Sequence, residues 1–506
     1  MISHNDTEWL KCKRYLHLDL PIEGAQRNRV LHYVQNPDTV AKHPFLPLIR
    51  RIVSTYRHAQ KDGKRVCKVK KRKLTYASHL DAAIFSYYAY DLQKKYEEYL
   101  RKHDLTDVVT AYRKIPCKSH AGNKSNIDFA CDIFTYIKER LKKEREVAVI
   151  TFDIQSFFDN LNHKILKNNW KRILGVDSFS KDQYNVFKNV VNYAYVDDLA
   201  VFNLFKSQIL CQQKHGNIIK HKVINKSYLR DQGALAYCLK NNIKDIRDKG
   251  LIRTHKKEST HDVGIPQGLP ISAVLANLYL MDFDLEVNQK MAECNAIYRR
   301  YSDDIIVVCP QERGEKIKCW IQKKIRDVHL EIQEKKTHLY RISVSEHGTK
   351  CEHSLEGTKK KLEYLGFSFD GETVLLKNAS VGKFYNKMHK AIFRSVHFAC
   401  SINNATKGII FERHLISQFT YAGSKSHRIY KRSKTSKRFY TLPAMKSYGN
   451  YLTYVRKSAE VMGEPKIARQ LRRCTNKLSK SIKWAKEQAQ RKAFMLVCVL
   501  CILYNT

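Results

Sequence analysis

The sequence of 506 residues contains only 19 glycines and 10 prolines, and no Gly/Ser-rich linker, low-complexity tract or internal repeat interrupts it. A chain of this length can bury a large core, and we expect it to divide into two to four units. Because no flexible linker separates them, these units are expected to pack tightly against one another.

Segments for export or for crossing a membrane are also missing. Residues 1–26 carry charged side chains where a signal peptide would have its apolar core. The apolar run at residues 493–504 is too short to span a bilayer unaided. It follows the basic segment 469–492, so it suits either packing against the body or another subunit, or anchoring at a membrane surface. We expect no membrane span and a cytoplasmic location.

Cysteines are present but are not grouped. The chain has 14, and the close pair Cys498 and Cys501 lies within the apolar run without a second Cys or His pair nearby. A structural zinc site needs four such ligands, so none is predicted. Scattered cysteines in a chain without an export signal are typical of reduced thiols in a cytosol.

Acidic residues are scarce relative to basic ones. There are 49 Asp and Glu against 92 Lys and Arg, which gives a net charge of +43 and a pI near 9.7. This charge is typical of a protein that binds a polyanion, and the 29 Tyr and 21 Phe offer ring faces on which bases can stack. A ribosomal or architectural RNA-binding protein would share the charge, so composition alone does not predict an enzyme.

Two acidic residues are placed in an otherwise apolar stretch. Residues 300–309 read R-Y-S-D-D-I-I-V-V-C, in which Asp303 and Asp304 precede a run with strong strand preference. Adjacent carboxylates are costly there unless a cation neutralises them, and a hairpin turn that presents them to divalent metal would do so. Residues 195–198, Y-V-D-D, match the same aromatic-x-Asp-Asp pattern, so the tetrapeptide alone does not identify the site.

Other segments supply the context. They are V-A-V-I-T-F-D-I-Q-S-F-F-D-N at 147–160, G-I-P-Q-G-L-P-I-S at 264–272, E-K-K-T at 334–337 and Y-L-G-F at 364–367. Together with residues 301–304, and in this order, they resemble palm motifs A to E of reverse transcriptases. The second Asp pair, at 197–198, falls between motifs A and B, where no catalytic pair belongs, and is interpreted as a structural or surface feature.

The resemblance can be narrowed to one lineage. H-P-F-L-P at 43–47, Y-A-S-H-L-D-A-A-I-F-S-Y-Y-A at 76–89 and D-I-Q-S-F-F-D-N-L-N-H at 153–163 resemble the bacterial abortive-infection and defence-associated "unknown group" of reverse transcriptases. The palm motifs are also similar to those of group II-intron-like and retron enzymes. Two positions depart from the usual pattern: Ser302 stands where Ala, Met or Val is common, and Ser272 is followed by Ala273 rather than Pro.

The resemblance implies an RNA-directed DNA polymerase, a nucleotidyltransferase that makes cDNA from dNTPs. Its partners would be an RNA template, expected to be a structured noncoding RNA, and the DNA product, with anti-phage defence as the biological role. A homo-oligomer is suggested by the same lineage. Two alternatives stay open: a polymerase of this fold that works without a template or primes on its own side chain, and an inactive nucleic-acid-binding protein.

The implied fold is α+β, the right-hand polymerase fold with fingers, an antiparallel palm sheet and a helical thumb. Residues 1–145 would hold a lead-in and the fingers, with a strand that has one cationic face at 65–78 and a helix at 79–102. The palm would occupy 146–370, with an insertion at about 164–263, and a basic, mainly helical region would occupy 371–506.

The resemblance also assigns the metal ligands. Asp153 and Asp303 would bridge two Mg²⁺ ions, Asp304 would support them, and the backbone carbonyl of Ile154 would be an additional ligand. Hard, partly hydrated oxygen ligands favour Mg²⁺ over transition metals. One ion would activate the primer hydroxyl and the other would stabilise the leaving pyrophosphate.

Nucleotide contacts are assigned in the same way. Arg72, with Lys70 nearby, would bind the triphosphate, and Gln267 and Gly268 would line the nucleotide and template pocket. Lys336 would protonate the pyrophosphate as it leaves, unless it is an ordinary surface lysine.

Phe158 lies five residues after Asp153, where reverse transcriptases place an aromatic steric gate. A ring there would collide with a 2′-hydroxyl and select deoxynucleotides. The competing interpretation is that Phe158, like its neighbour Phe157, simply packs in the core.

The C-terminal region is the most basic part of the chain. Residues 371–506 hold 27 Lys and Arg against five Asp and Glu, and the densest patch is H-R-I-Y-K-R-S-K-T-S-K-R at 427–438. A charge run can be a solvated face, but a thumb in this place would contact a nucleic-acid backbone. The predicted contacts are Arg428, Lys431, Arg432, Lys434, Lys437 and Arg438.

Overall fold

The computed structural model describes residues 7–61, 64–118, 121–215, 218–225, 234–237, 241–258, 262–346, 348–353, 360–400, 408–422, 426–432, 439–447 and 449–504. The chain forms two compact units. The first comprises residues 1–113, 150–309 and 313–338, and the second comprises residues 114–149, 310–312 and 339–506. The domain boundaries expected at 145 and 370 stay predictions.

The helices in chain order are α1 (Arg27–Gln35), α2 (Pro37–Ala41), α3 (His79–Lys102), α4 (Asn126–Glu144), α5 (His163–Leu174), α6 (Lys181–Val191), α7 (Asp198–Phe205), α8 (Asn242–Asp248), α9 (His255–Glu258), α10 (Ser272–Tyr279), α11 (Met281–Glu293), α12 (Gly314–Asp327), α13 (Asn378–Ala399), α14 (Glu412–Phe419), α15 (Tyr451–Val461), α16 (Pro465–Arg469) and α17 (Cys474–Tyr504). Across the described ranges, no helix is both long enough and apolar enough to cross a bilayer.

The strands are β1 (Leu48–Lys61), β2 (Lys64–Tyr76), β3 (Glu146–Asp153), β4 (Ala194–Asp197), β5 (Ile209–His215), β6 (Ile218–Ile224), β7 (Ala234–Tyr237), β8 (Arg253–Thr254), β9 (Ile297–Tyr301), β10 (Asp304–Cys309), β11 (His338–Ser345), β12 (Gly348–His353), β13 (Leu362–Tyr364), β14 (Phe367–Phe369), β15 (Val374–Leu376), β16 (Ser426–Arg432) and β17 (Phe439–Ser447). Short 3-10 turns at Phe157–Asp159 and Glu334–Lys336 matter for the site.

Helix α3 shows how local sequence sets an element. Ser78 accepts a hydrogen bond from the backbone N–H of Asp81 and caps the N-terminus, while Arg101 and Lys102 occupy the last turn, where the helix dipole favours cations. The predicted helix at 79–102 is confirmed. Apolar residues at helical spacing face the core: Tyr87 is half-buried, and the buried ones are Ala83, Phe85, Leu92, Tyr96 and Leu100.

In the first unit, β1 and β2 form a long antiparallel ribbon that belongs to a sheet of order β2-β1-β4-β8. Strand β4 runs parallel to the start of β1, and β8 pairs antiparallel with β4. Both strands come from residues 164–263, the segment predicted as an insertion, which also contributes a sheet of order β6-β5-β7. The insertion therefore extends the sheet from which the ribbon emerges.

A hydrophobic cluster joins the insertion to the base of that ribbon. Ile49 of β1 and Val196 of β4 are fully buried and pack with side chains from α7, β5, β7 and α8. The cluster consists of Leu18, Ile49, Val196, Val201, Phe202, Phe205, Ile209, Cys211, Ala234, Tyr237 and Ile246. Burial of this apolar set is what fixes the root of the ribbon in the first unit.

The first unit also contains the C-terminal half of β3, followed in space by β10 and then β9. Residues 305–309 of β10 are buried, as are residues 147–150 and Phe152 of β3, so β3 is an apolar run that ends in Asp153 and β10 is one that begins at Asp304. Burial of the strands places Asp153 and Asp304 at their exposed ends, which is where the candidate site lies.

In the second unit, β11 pairs antiparallel with β12 and lies next to β3, whose first four residues belong to this unit. A three-stranded antiparallel sheet has the order β13-β14-β15, and β16 pairs with β17. Helices α4 and α13–α17 complete the unit, with Phe134 of α4 stacked on Phe369 of β14 at 4.8 Å between ring centroids.

Candidate active site

The acidic turn is a two-residue hairpin connection between β9 and β10. Tyr301 pairs with Asp304, so Ser302 and Asp303 form the loop. Ser302 has a φ of 61°, because a tight hairpin requires a positive φ at its first loop position. The side chain of Asp303 is half-buried and that of Asp304 is exposed. The predicted turn with its two carboxylates is therefore present.

Asp153 lies beside this turn. The backbone N–H of Ile154 donates to the carbonyl of Asp303 at 3.0 Å, which joins the end of β3 directly to the hairpin. The backbone of Asp153 is also held from the other side, because its carbonyl accepts from the N–H of Gln333 at 2.8 Å. Residues separated by 150 positions in the sequence thus share one corner of the sheet.

Lys336 completes the corner. Its ammonium lies 2.7 and 2.8 Å from the two carboxylate oxygens of Asp153, and this contact is partly open to solvent. The Glu334–Lys336 turn brings the lysine there. The structure therefore places Lys336 on a candidate metal ligand rather than on remote surface.

The residues at this corner offer oxygen atoms that could bind a divalent cation. Asp153, Asp303, Asp304 and the carbonyl of Ile154 are all hard oxygen donors of the kind that Mg²⁺ prefers. As the side chains stand, no three His, Cys, Asp or Glu residues in the described part of the chain converge closely enough to hold a metal. Both oxygens of Asp153 are occupied by Lys336. The donor chemistry fits Mg²⁺, and the carboxylates would close around it only after Lys336 moves.

A buried ion pair supports the hairpin from inside. The guanidinium of Arg300 donates to both oxygens of Asp284 at 2.8 and 2.6 Å, and both side chains are fully buried. Burial alone would lower the pKa of Arg300, but the Asp284 carboxylate raises it above its usual value. Arg300 also donates to the carbonyl of Ser302 at 3.2 Å and to Asn277 at 3.1 Å. The turn is thus tied to a charged core network.

The two adjacent phenylalanines differ in environment. Phe157 is buried, whereas Phe158 is half-buried, with the rings 5.7 Å apart. The carbonyl of Phe158 accepts from the N–H of Ile265 at 2.9 Å, which places Phe158 against the loop that begins at Gly264. Phe157 therefore packs in the core, and the gate role of Phe158 stays a prediction.

The loop containing Gln267 and Gly268 contacts the ribbon. The N–H of Thr75 on β2 donates to the carbonyl of Gln267 at 2.9 Å. Gly268 has a φ of 126°, and a Cβ there would lie 2.3 Å from the carbonyl oxygen of Thr75. The close approach that requires glycine is therefore to the β2 backbone. Gln267 is half-buried and Gly268 is exposed, and their place in a nucleotide pocket stays a prediction.

The ribbon presents basic residues on both faces. Opposite residues in the β1–β2 register share a face and successive residues alternate, so Lys68, Lys70 and Arg72 lie on one face and Lys71 and Lys73 on the other. All five side chains are exposed. The strand predicted at 65–78 is confirmed as β2, but the expectation of a single cationic face is wrong, because consecutive basic residues occupy both faces.

One basic residue of the ribbon acts electrostatically on the turn that follows β3. Partial desolvation raises the pKa of the Asp159 carboxyl, while Lys73 and His255 oppose the rise. The role predicted for Lys70 and Arg72, on the other face, stays a prediction.

The second Asp pair has a different environment. Asp197 ends β4 and accepts from Nε of Arg50 at 3.0 Å, and Asp198 begins α7 and accepts from Nε of Arg51 at 2.6 Å. The guanidinium of Arg50 also lies 3.8 Å from the centre of the Tyr195 ring. Asp197 and Asp198 thus join the insertion to β1 by ion pairs within the chain.

Part of the predicted basic patch lies within the structure. Arg428, Lys431 and Arg432 are on β16, opposite Met445, Tyr440 and Phe439 of β17. Lys434, Lys437 and Arg438 lie outside the described residues. All six stay predictions as nucleic-acid contacts.

Several residues around the hairpin have no counterpart in the sequence predictions: Arg300, Asp284, Asn277 and Tyr112. One signal for them exists. Positions 298 and 300 face inward from β9, so the arginine at 300 is a core-facing charge that needs an acidic partner. The role of Tyr112 is not marked by any local pattern.

The segment that carries the acidic hairpin is similar to one known protein family. Residues 225–369 match the family described as reverse transcriptase (RNA-dependent DNA polymerase). The matched segment contains the Gly268 loop and the Asp303–Asp304 turn, and Asp153 lies before it. This segment is therefore similar to a reverse transcriptase domain. The predicted α+β fold is confirmed by the strands and helices of the structure, and the match of residues 225–369 supports the right-hand polymerase type.

No curated protein matches the sequence. Among solved structures, apo telomerase from Candida tropicalis truncated from its C-terminal domain is 11% identical with a TM-score of 0.36, over 71% of this chain and 61% of that one. Apo telomerase from the same organism is 14% identical with a TM-score of 0.35, over 71% and 53%. Telomerase from Candida albicans, in complex with a TWJ fragment of telomeric RNA, is 13% identical with a TM-score of 0.31, over 70% and 50%. The chain covers less than two thirds of each of these proteins.

Proposed function

We propose that the protein is an RNA-directed DNA polymerase that synthesises cDNA by two-metal nucleotidyl transfer. The observation that supports this most directly is the contact between the end of β3 and the hairpin, where the N–H of Ile154 donates to the carbonyl of Asp303. It brings the carboxylate-bearing ends of β3 and β10 to one corner of a domain whose matched segment is that of a reverse transcriptase.

Asp153, Asp303, Asp304 and the carbonyl of Ile154 would hold two Mg²⁺ ions. When bound, Mg²⁺ would lower the pKa of the primer 3′-hydroxyl and stabilise the charge of the departing pyrophosphate. The carboxylates would hold the ions in fixed positions, and this would help to align the two reacting oxygens and lower the entropic part of the barrier. Asp304, the more exposed of the hairpin pair, has the supporting role.

Lys336 would supply the proton that the pyrophosphate takes up on leaving. Its ammonium cannot stay between the two oxygens of Asp153 and also reach the leaving group, so Lys336 must release Asp153 before the reaction. The observed ion pair of 2.7 Å supports the nearness of Lys336 to the reacting atoms, and the surface-lysine interpretation does not explain it.

The remaining residues would bind and select the nucleotide. Arg72 and Lys70 would contact the triphosphate from the ribbon, and Gln267 and Gly268 would line the pocket from the loop that β2 holds. The half-buried ring of Phe158, beside the buried Phe157, would exclude a 2′-hydroxyl and select dNTPs.

We further propose that the template is a structured noncoding RNA and that the enzyme serves in anti-phage defence. The support is the sequence resemblance to the defence-associated lineage and the net charge of +43, which suits a large RNA partner. Basic residues of the C-terminal region would contact its backbone. A homo-oligomer stays a prediction.

The test is to purify the protein with its bound nucleic acid, supply labelled dNTPs singly and together, and sequence the product. A cDNA complementary to the bound RNA supports the proposal, with Asp303→Asn as the matched inactive control. A homopolymer or repeat formed without RNA, or a product joined covalently to protein, would favour template-independent or protein-primed synthesis. The absence of any incorporation would favour a binding protein.

A further inference from the structure

A short segment outside the recognised motifs lies along β9 next to the acidic hairpin. The N–H of Arg300 donates to the carbonyl of Val108 at 2.8 Å, and the N–H of Thr110 donates to the carbonyl of Arg300 at 3.0 Å. The hydroxyl of Thr110 donates to the same carbonyl at 2.9 Å. Residues 108–110 therefore add a strand-like edge to β9 directly before the turn.

The residues that follow are fixed by buried polar groups. The side-chain amide of Asn277, which is fully buried, donates to the carbonyl of Ala111 at 3.1 Å. The guanidinium of Arg113 is almost fully buried and donates to both carboxylate oxygens of Glu97 at 2.9 and 2.6 Å. Tyr112, between Ala111 and Arg113, is thus held from both sides.

Tyr112 has an unusual conformation and an unusual partner. Its φ is 63°, a region that a bulky residue adopts only when its surroundings impose it. Its hydroxyl lies 3.0 Å from the hydroxyl of Ser302, which is buried, while 48% of Tyr112 is exposed. A rigid backbone therefore directs this phenol to the first residue of the hairpin loop.

We propose that Tyr112 is a positioning residue of the active site, acting through Ser302. The loop residue Ser302 has a φ of 61° and is held by Arg300 through its carbonyl and by Tyr112 through its side chain. Fixing Ser302 at both points fixes the direction in which Asp303 and Asp304 leave the turn. Carboxylates that are already oriented lose less conformational entropy when they bind a cation.

The contact depends on the serine at position 302, because a hydroxyl can hydrogen-bond the phenol of Tyr112 and an Ala, Met or Val side chain cannot. The inference rests on the proposed function, since it assumes that Asp303 binds metal.

The test is a double-mutant cycle with Tyr112→Phe, Ser302→Ala and both changes together, in the full chain. Mn²⁺ binding, measured by electron paramagnetic resonance and by competition with Mg²⁺, is the readout, with melting temperature as a check on folding. Each single change removes the same hydrogen bond, so each should weaken Mn²⁺ binding about fivefold, and the double variant should be no weaker than either. Tyr184→Phe, at a tyrosine with 51% exposure on α6, is the matched control and should leave binding unchanged.

Two results would overturn the inference. Unchanged Mn²⁺ affinity in both single variants would show that the contact does not position the turn. A loss of Mn²⁺ affinity of about twenty-five-fold in the double variant, the product of the two single losses, would show that the two hydroxyls act independently. Asp303→Asn separates this failure from failure of the proposed function. If Asp303→Asn keeps the full Mn²⁺ affinity of the wild type, the metal site itself is misassigned. If only Asp303→Asn loses affinity, the proposed function stands and the role of Tyr112 falls.

Discussion

Residues 301–304 and 195–198 present the same aromatic-x-Asp-Asp pattern, and the fold uses them in different ways. At 195–198 both carboxylates are neutralised by the protein, with Arg50 and Arg51 of the neighbouring strand at 3.0 and 2.6 Å. At 301–304 the pair lies at a hairpin next to the end of β3, and within the described part of the chain no lysine or arginine pairs with Asp303. The ion pairs of Asp197 and Asp198 with β1 thus distinguish this pair from Asp303, although the two tetrapeptides match.

The largest effect is expected from removing the hairpin charges. Asp303→Asn combined with Asp304→Asn should lower dNTP incorporation by roughly a thousandfold or more, because several kcal/mol of metal-mediated transition-state stabilisation is lost. The melting temperature should not fall, since these charges serve metal rather than packing. A dNTP incorporation assay on the purified variant tests the loss of activity, and a thermal melt tests whether stability is kept. An active double variant would contradict the assignment of this pair.

The second prediction concerns the buried support of the hairpin. Arg300→Met leaves the Asp284 carboxylate buried without its counter-charge and should cost about 3–5 kcal/mol in the free energy of unfolding. The double change Arg300→Met with Asp284→Leu should recover most of that loss, because no charge is then left unpaired. Denaturant unfolding measures both variants. Equal stability of the single and double variants would mean that the pair is not the source of the loss.

The third prediction concerns the other Asp pair. Asp197→Asn with Asp198→Asn removes the ion pairs that join the insertion to β1 and should cost about 1–3 kcal/mol of stability in total. Incorporation should stay largely intact, because these carboxylates already have protein partners. The measurement is to assay dNTP incorporation and unfolding side by side for this double variant and for Asp303→Asn with Asp304→Asn. Loss of incorporation at full stability would show that 195–198 has a catalytic role.

The fourth prediction compares the adjacent residues Phe157 and Phe158, and its expected effect on activity is smaller. Phe158→Ala should raise ribonucleotide use relative to deoxynucleotide use by about tenfold, because the ring no longer meets the 2′-hydroxyl. Phe157→Ala is the control: it opens a cavity that costs about 3–5 kcal/mol and should leave sugar preference unchanged. Steady-state competition between dNTPs and rNTPs is the measurement. An unchanged preference in Phe158→Ala would assign that ring to packing alone.

Elements with strong local signals were predictable from the sequence. Helix α3 has its cap at Ser78, apolar residues at helical spacing and basic residues in its last turn, and it spans the predicted residues. The hairpin at 301–304 follows from an acidic pair set before a β-branched run. In both cases the residues that determine the structure are close together in the sequence, so hydrophobic periodicity and turn-forming residues are enough to predict it.

What the sequence did not predict depends on contacts between distant residues. Asp153 meets Lys336 and Asp197 meets Arg50 across 183 and 147 positions, and no local pattern records such a pairing. Gly268 was expected to approach a ligand, and the structure shows that it approaches the backbone of Thr75. Sequence could mark these residues as candidates, but only the fold shows which partner each one has.

Location of the metal itself distinguishes the two pairs most directly. Crystals grown with Mn²⁺ and a dNTP, measured at the manganese absorption edge, would reveal every bound ion by anomalous scattering. We expect density between Asp153 and Asp303, at the roughly 2.0–2.3 Å typical of hard oxygen ligands, with the ammonium of Lys336 displaced from Asp153. Density at Asp197 and Asp198, or none beside Asp153 with the dNTP bound, would contradict the assignment.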